Sequence, residues 1–457
     1  MSTQRVPVLP GKILPAFILL TVCFAAWGLA NNMTDPLVKA FSRIFTMTNL
    51  RSSLIQFSFY GAYFCLAIPA AIIIKKFSYK TGVLIGLGLF AMGAMLFLPA
   101  SKTMVFNHFL IAVFVLAGGL SILETSCNPF IIALGPEETS TQRLNLAQSF
   151  NPVGSVLGTM LAGFFILPKI NPATDAERAA MTADELRAIQ VDELSAVMGP
   201  YVYLAVALVV LWVAIAAVPM PKASAAGPEL DLGPTLKRLV RNPHYAFGVV
   251  AQFFYVAAQI CVWTFTIHYI SAIVDGGGGA PLRRFLESSG IYDFVRSIRL
   301  ITTDELSGET IAGIYHICAL LAFLVSRFIC TALMRVIRPS RMLLALALLA
   351  GVLCIIVMSS PNLFGVICLV GISACMSLMF PTIYGIALLG LGDDTKFGGA
   401  GLVMAILGGA LFPLIQAAII DHSNPAVSYI VPLICFAVVA AYATFDLRTT
   451  RIAHGSH

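Results

Sequence analysis

Two carboxylates and a set of amides interrupt the apolar stretches of this chain, and each needs a reason to be there. Glu124 lies deep in an apolar run, with Asn128 one helical turn beyond it. An acid at the centre of a membrane helix costs roughly 2.5–3.5 kcal/mol on insertion scales and by default marks a pathway, a proton site or a substrate pocket. A carboxyl that can be carried neutral or charged is what a proton-coupled carrier needs. In the first apolar run Trp27, Asn31 and Asp35 recur at i, i+4 and i+8 along one stripe, with Asn32 beside it. Amides and carboxylates bond hydroxyls while an indole face packs against the C–H surface of a sugar ring, so the stripe suits a polyol. Further on, Asn145, Gln148 and Asn151 recur every three residues within an arc of about 120°. Gln252 and Gln259, on one helical face with Trp263, supply a second wall for a central cavity.

Each of these groups has a plainer reading. Asp35 can sit in water at a helix end, and Glu124 can be a satisfied structural acid. Amides can act as interhelical glue, and Gly154 with Gly158 marks the fifth span as closely packed. Arg327, His268 and His316 are less specific, since a lone intramembrane His is more often hydrogen-bonded core than relay. Depth favours function for Glu124, and three amides on one arc favour a pocket.

The elements that must position these residues are membrane helices. The chain has 457 residues, 59% hydrophobic and only 11% charged, with mean hydropathy +0.90. A soluble domain carries about 25% charge, so the composition excludes one. The net charge of +6 is scattered between apolar runs with no basic stripe among aromatics, which argues against nucleic acid. The ten cysteines lie in or beside apolar runs, none at C-x-x-C spacing, and read as small core residues rather than metal ligands. No nucleophile elbow, paired-carboxylate site or phosphate loop is present, so an enzyme is not expected and no catalytic or metal site is assigned.

Apolar stretches predict spans near 13–34, 54–74, 82–100, 105–134, 143–167 and 200–219, then near 244–274, 310–336, 341–359, 363–391, 398–421 and 427–446. The first follows Arg5 and Lys12 and is read as a retained helix rather than a signal peptide. Twelve spans in two sets of six place both termini on one side, and the distribution of basic residues makes that side cytoplasmic. Lys75, Lys76 and Lys80 follow the second span as Arg335, Arg338 and Arg341 follow the eighth. Asn128-Pro129-Phe130 before an acidic loop is echoed by Phe380-Pro381-Thr382 before another, consistent with duplicated halves. The expected units are therefore a six-helix bundle over 1–219, a cytoplasmic linker over 220–243 and a second bundle over 244–457. Thr182 and Glu185 stand at capping-box spacing and predict a short surface helix in the outer loop. The glycine-rich loop from Asp275 to Glu309 is not legible.

LANNMTDPLVKAF (29–41), QFSFYGAYF (56–64), KKFSYKTGVLIGLGLFAMGAMLF (75–97), LETSCNPF (123–130), RLNLAQSFNPVG (143–154), QICVWTF (259–265) and FPTIYGIALLGLGDDTKFG (380–398) resemble the L-fucose:proton symporter family of the major facilitator superfamily. The likeness runs in order through nearly the whole chain. It implies an all-α membrane protein of twelve transmembrane helices in two pseudo-symmetric six-helix bundles, with a sugar site between them open alternately to each side. It also implies that Asp35 and Glu124 couple proton to sugar, and that Asn32, Gln148 and Asn151 contact the sugar. Pro36 and Pro152, directly after Asp35 and Asn151, depart from the pattern, as does the long 275–309 loop.

The expectation is an inner-membrane symporter of L-fucose and a proton, with H+ as coupling ion and no cofactor, acting as a monomer in the lipid bilayer. The alternatives are another hexose or amino sugar by the same mechanism, a non-transporting sugar sensor, and a multidrug antiporter. The cavity residues, amides and acids rather than an aromatic cage, disfavour the last.

Overall fold

A computed structural model describes residues 7–44, 49–103, 105–161, 171, 173, 175–221, 232–297 and 306–455. The architecture is all helical, and eleven helices among the described residues are long and apolar enough to cross a membrane. The twelfth expected span, the fifth in order, runs to the edge of the described residues at Leu161.

In the first half, α1 (Leu14–Ile44), α2 (Asn49–Lys76), α3 (Tyr79–Thr103) and α4 (Phe106–Ala133) are followed by α5 (Ser140–Gln148) and α6 (Phe150–Leu161). After them come α7 (Asp175–Ala180) and α8 (Ala183–Ala217), the latter packed against α3 and α1. Then α9 (Leu232–Arg241) leads to α10 (Pro243–Ile273), α11 (Gly279–Ser288), α12 (Ile291–Ser297), α13 (Gly308–Leu333) and α14 (Pro339–Ser359). The chain closes with α15 (Leu363–Met376), α16 (Met379–Leu388), α17 (Thr395–Met404), α18 (Gly408–His422) and α19 (Ile430–Gly455).

Helices α1 and α6 meet on small residues. A Cβ on Gly154 would lie 1.8 Å from the Ala25 carbonyl oxygen, and one on Gly28 would lie 1.9 Å from that of Asn151. Only glycine permits this approach, which brings the Asn151 backbone against the first helix.

The helix ends are closed by side chains where water is scarce. Arg143, fully buried, donates from Nε to the Ile131 carbonyl (2.8 Å) and from Nη2 to that of Ile132 (2.6 Å), satisfying the last turn of α4. Lys80 Nζ does the same for α8, donating to the carbonyls of Ala216 and Val218 at 2.9 Å each. Asn242 caps α10, its Oδ1 accepting from the backbone of His244 and Tyr245, with Pro243 at the first helical position.

Four expectations change in detail. The fifth span is broken at Ser149 into α5 and α6, because Pro152 has no N–H to offer the Gln148 carbonyl four residues back. The Thr182 capping box forms, but its helix runs through Pro200 into the sixth span as one continuous α8. The linker carries α9, although 222–231 lie outside the described residues. The loop after Asp275 folds into α11 and α12, which bury Leu282, Leu286 and Val295 and are tied to α13 by Tyr315 Oη donating to the Leu282 carbonyl at 3.1 Å.

Candidate functional site

A cavity of about 330 Å³ lies between the two sets of helices, at the small end of the roughly 300–1,000 Å³ usual for ligand sites. One wall comes from α1, α2, α5 and α6, carrying Trp27, Asn31, Asn32, Tyr63, Gln148 and Asn151. The other comes chiefly from α10 and α13, with Gln259, Trp263, His316, Phe323 and Arg327. Seven of the residues assigned from the sequence to a sugar site therefore converge on one space, Trp27, Asn31, Asn32, Gln148, Asn151, Gln259 and Trp263, joined by the less specific His316 and Arg327.

Their amides are partly engaged, which fixes their orientation. Asn32 Nδ2 donates to the Gly28 carbonyl at 3.3 Å, Asn151 Nδ2 to that of Phe24 at 3.3 Å, and Gln148 Nε2 to Asn128 Oδ1 at 2.8 Å. An amide using one donor keeps a second donor and an acceptor for a ligand. Asn31 Oδ1 is buried with no hydrogen-bond partner among the described residues. Trp263 is held edge-on to Phe323 with ring centroids 5.1 Å apart, its Nε1 donating to Ser373 Oγ at 3.3 Å.

Other candidates fall outside the lining. Asn128 stands behind Gln148, holding it. Asn145 reaches across to the other half, donating from Nδ2 to Thr382 Oγ1 at 3.2 Å. Gln252 is fully buried away from the cavity, with both amide atoms unpartnered among the described residues. The side chain of Asp35 lies outside the described residues; the helix itself continues through Pro36.

Glu124 does not border that cavity either. It is 3% exposed and its carboxyl oxygens make no hydrogen bond among the described residues. Instead it borders a separate void of about 10 Å³, shared with Cys23, Phe24, Trp27, Leu120, Leu123 and Cys127. Trp27 thus touches both spaces. A charged carboxylate so enclosed and unpartnered would be costly, whereas a neutral carboxyl is tolerated.

The cavity floor is a seam between the halves. Arg327, 3% exposed, donates from Nη1 to the Gln148 carbonyl at 3.0 Å and from Nε to the carbonyl of Ser377. Those are the two carbonyls that Pro152 and Pro381, each four residues on, leave without a helical partner. One guanidinium, lying over Phe323 at 4.7 Å, therefore closes both breaks. Below it Gln142 Nε2 donates to the Thr331 carbonyl at 3.1 Å, and the Gly390 backbone donates to Glu137 Oε1 at 3.2 Å. These contacts lie toward the face that carries Lys75, Lys76, Arg335 and Arg338. The sequence exposed Arg327 as an intramembrane cation, and the two proline offsets were the unread signal for its partners.

The sequence matches the Major Facilitator Superfamily over residues 18–396. It is 38% identical to the L-fucose-proton symporter of Haemophilus influenzae over 95% of this chain and 97% of that protein. It is 32% identical to a glucose/galactose transporter of Brucella abortus over 95% of this chain and 94% of that one. Among solved structures it resembles the major facilitator transporter FucP in the outward conformation, with a TM-score of 0.82 and 32% identity across 94% of this chain and 98% of that one.

Proposed function

The chain belongs to the Major Facilitator Superfamily, and from that premise we propose that it is a symporter that carries L-fucose and a proton together across the membrane. The observation that carries this reading is the pairing of an amide- and indole-lined cavity with an unpartnered buried acid one residue behind its wall. The higher identity to an L-fucose-proton symporter favours that sugar. The glucose/galactose relative supplies the second reading, the same mechanism with another hexose.

In this account Asn31, Asn32, Gln148, Asn151 and Gln259 bond the sugar hydroxyls, and Trp27 and Trp263 stack on its ring. Asp35 and Glu124 take up the proton. Neutral acids are cheap to carry through an occluded state and charged ones are not, so loading the proton licenses the conformational change. The halves, 1–219 and 244–457, rock about the site with 220–243 as the link. With the termini cytoplasmic in the inner membrane, the Arg327 floor seals the site from the cytoplasm and the cavity loads from outside. The transporter works as a monomer, with H+ as its coupling ion and without a cofactor.

Counterflow of labelled L-fucose in proteoliposomes tests the substrate, with unlabelled galactose, glucose and N-acetylglucosamine as competitors. Strongest competition by L-fucose itself is expected. Stronger competition by galactose or glucose would replace the sugar, and binding of sugar without any counterflow would replace transport with sensing.

A further inference from the structure

The linker helix α9 is amphipathic in a way that a bare connection does not need. Its residues fall into stripes, each about 100° around the axis from the last. The helix packs on α10 and α17, and Thr235 and Leu239 are its buried stripe. One step around, Leu236 and Val240 stand 43% and 72% exposed. A further step brings Lys237 and Arg241, both exposed and meeting no carboxylate among the described residues. Arg238 closes the circle by turning back to the protein, where it holds Asp394 with two hydrogen bonds, from Nε at 2.8 Å and from Nη2 at 2.7 Å. An apolar and a cationic stripe therefore lie side by side on one open face, while the opposite face is fastened to the protein.

What covers the open face follows from where α9 is held. Only the capping residue Asn242 separates Arg241 from α10, which enters the membrane from Pro243. Arg238 is fixed to Asp394, the residue directly before α17, where another membrane helix begins. Held at two membrane entries, α9 lies along the interface. Water there would suit the two cations but not Leu236 and Val240, and hydrocarbon would suit the reverse. A lipid with an anionic headgroup above its acyl chains meets both stripes at once. We propose that the open face of α9 is a binding site for anionic lipid, with Lys237 and Arg241 at the headgroup and Leu236 and Val240 at the upper acyl chains. The site also reaches the seam. Asp394 shares the short α16–α17 loop with Gly390, whose N–H bonds Glu137 of the opposite half at 3.2 Å. Gly390 and Gly392, at φ +72° and +53°, give that loop a path other residues rarely take. A lipid-seated α9 thus braces the closed side, and the charge of the leaflet acts on how readily that side opens.

The lipid site is independent of the symport reading, whereas its action on the seam rests on it, and the experiment separates the two. Val240→Trp adds an indole to the open face, and in proteoliposomes its emission is read as the difference from the wild type. Brominated-chain phosphatidylglycerol or brominated-chain phosphatidylcholine serves as quencher in a bilayer otherwise of phosphatidylcholine. Half-maximal quenching is expected at about a tenfold lower mole fraction of the anionic lipid, and at similar fractions of the two once Lys237→Gln and Arg241→Gln are added. Leu236→Trp repeats the reading one turn away and decides where Val240→Trp does not reconstitute. Equal quenching by the two lipids, or a preference that survives the loss of both charges, would overturn the site. So would an absence of quenching, as for a face in water or against a protein. L-fucose counterflow is then compared in the two kinds of vesicle. Phosphatidylglycerol is expected to slow the wild type by about fivefold and to leave Arg238→Gln unaffected. A wild-type rate indifferent to lipid charge would overturn the action on the seam. No wild-type counterflow in either lipid would fail the sugar reading and leave the quenching result to decide the site.

Discussion

At the scale of single residues, the proposed function separates contact with sugar from custody of the proton: the amides line the cavity and Glu124 does not. Gln148 is held by Asn128 and faces the cavity, so Gln148→Ala should remove a sugar hydrogen bond and its positioning partner together. The expected cost is on the order of 1 kcal/mol, read as about a fivefold rise in the half-saturating L-fucose concentration. Binding measured by tryptophan fluorescence checks it, and an unchanged affinity would remove Gln148 from the sugar site. Much of this wall was legible in the sequence, because polar side chains in apolar runs carry their own signal. Helical spacing then placed Trp27 with Asn31 and Gln148 with Asn151. What spacing could not give was depth. Asn145 shares its arc with Gln148, yet it reaches Thr382, 237 positions away in sequence, rather than the cavity. Gln252 shares a face with Gln259 but is turned into the packed core. Whether an amide meets ligand or protein depends on the neighbouring helix, which no single-helix period contains.

At the scale of elements, two prolines and one arginine define the floor. Pro152 breaks the fifth span and Pro381 follows the break between α15 and α16, and Arg327 satisfies both freed carbonyls. Arg327→Met should leave two buried carbonyls unpaired, at roughly 1–3 kcal/mol each. A drop of several degrees in the melting temperature of the detergent-solubilised protein is expected, and an unaltered melt would show that the carbonyls find other partners. The N-terminal end of α8 depends on its capping box. Thr182 Oγ1 and its backbone N–H both bond Glu185, holding the Glu185 carboxyl below the usual glutamate range. A lowered folded-state value means that this contribution is complete above the unfolded value and is lost as pH falls through the folded one. Thr182→Ala should therefore speed amide exchange over the first turn of α8 by on the order of fivefold at neutral pH. The difference should shrink as pH drops below the glutamate range. A difference of unchanged size at low pH would assign the effect to Thr182 Oγ1 accepting from the Glu185 backbone N–H rather than to the Glu185 carboxylate. This box was readable from two residues at fixed spacing. The continuous α8 was not, since Pro200 reads as a helix breaker until tertiary packing around it is known.

At the scale of the whole molecule, two helical bundles hold a cavity of about 330 Å³ above a polar seam, with the acid behind the wall. The all-helical membrane class and the family were legible, because they rest on composition and on motifs distributed along the chain. The seam was less so, because its pairs join residues from opposite halves: the prolines mark the carbonyls they leave free, not the side chain that meets them. The central claim is that sugar and proton move together through Glu124. Its most direct test is the external pH of a weakly buffered suspension of energy-depleted cells or proteoliposomes when L-fucose is added. The account expects prompt alkalinisation with the wild type and none with Glu124→Gln. Alkalinisation of wild-type size in Glu124→Gln, or sugar entry into wild-type vesicles with no movement of external pH, would contradict it.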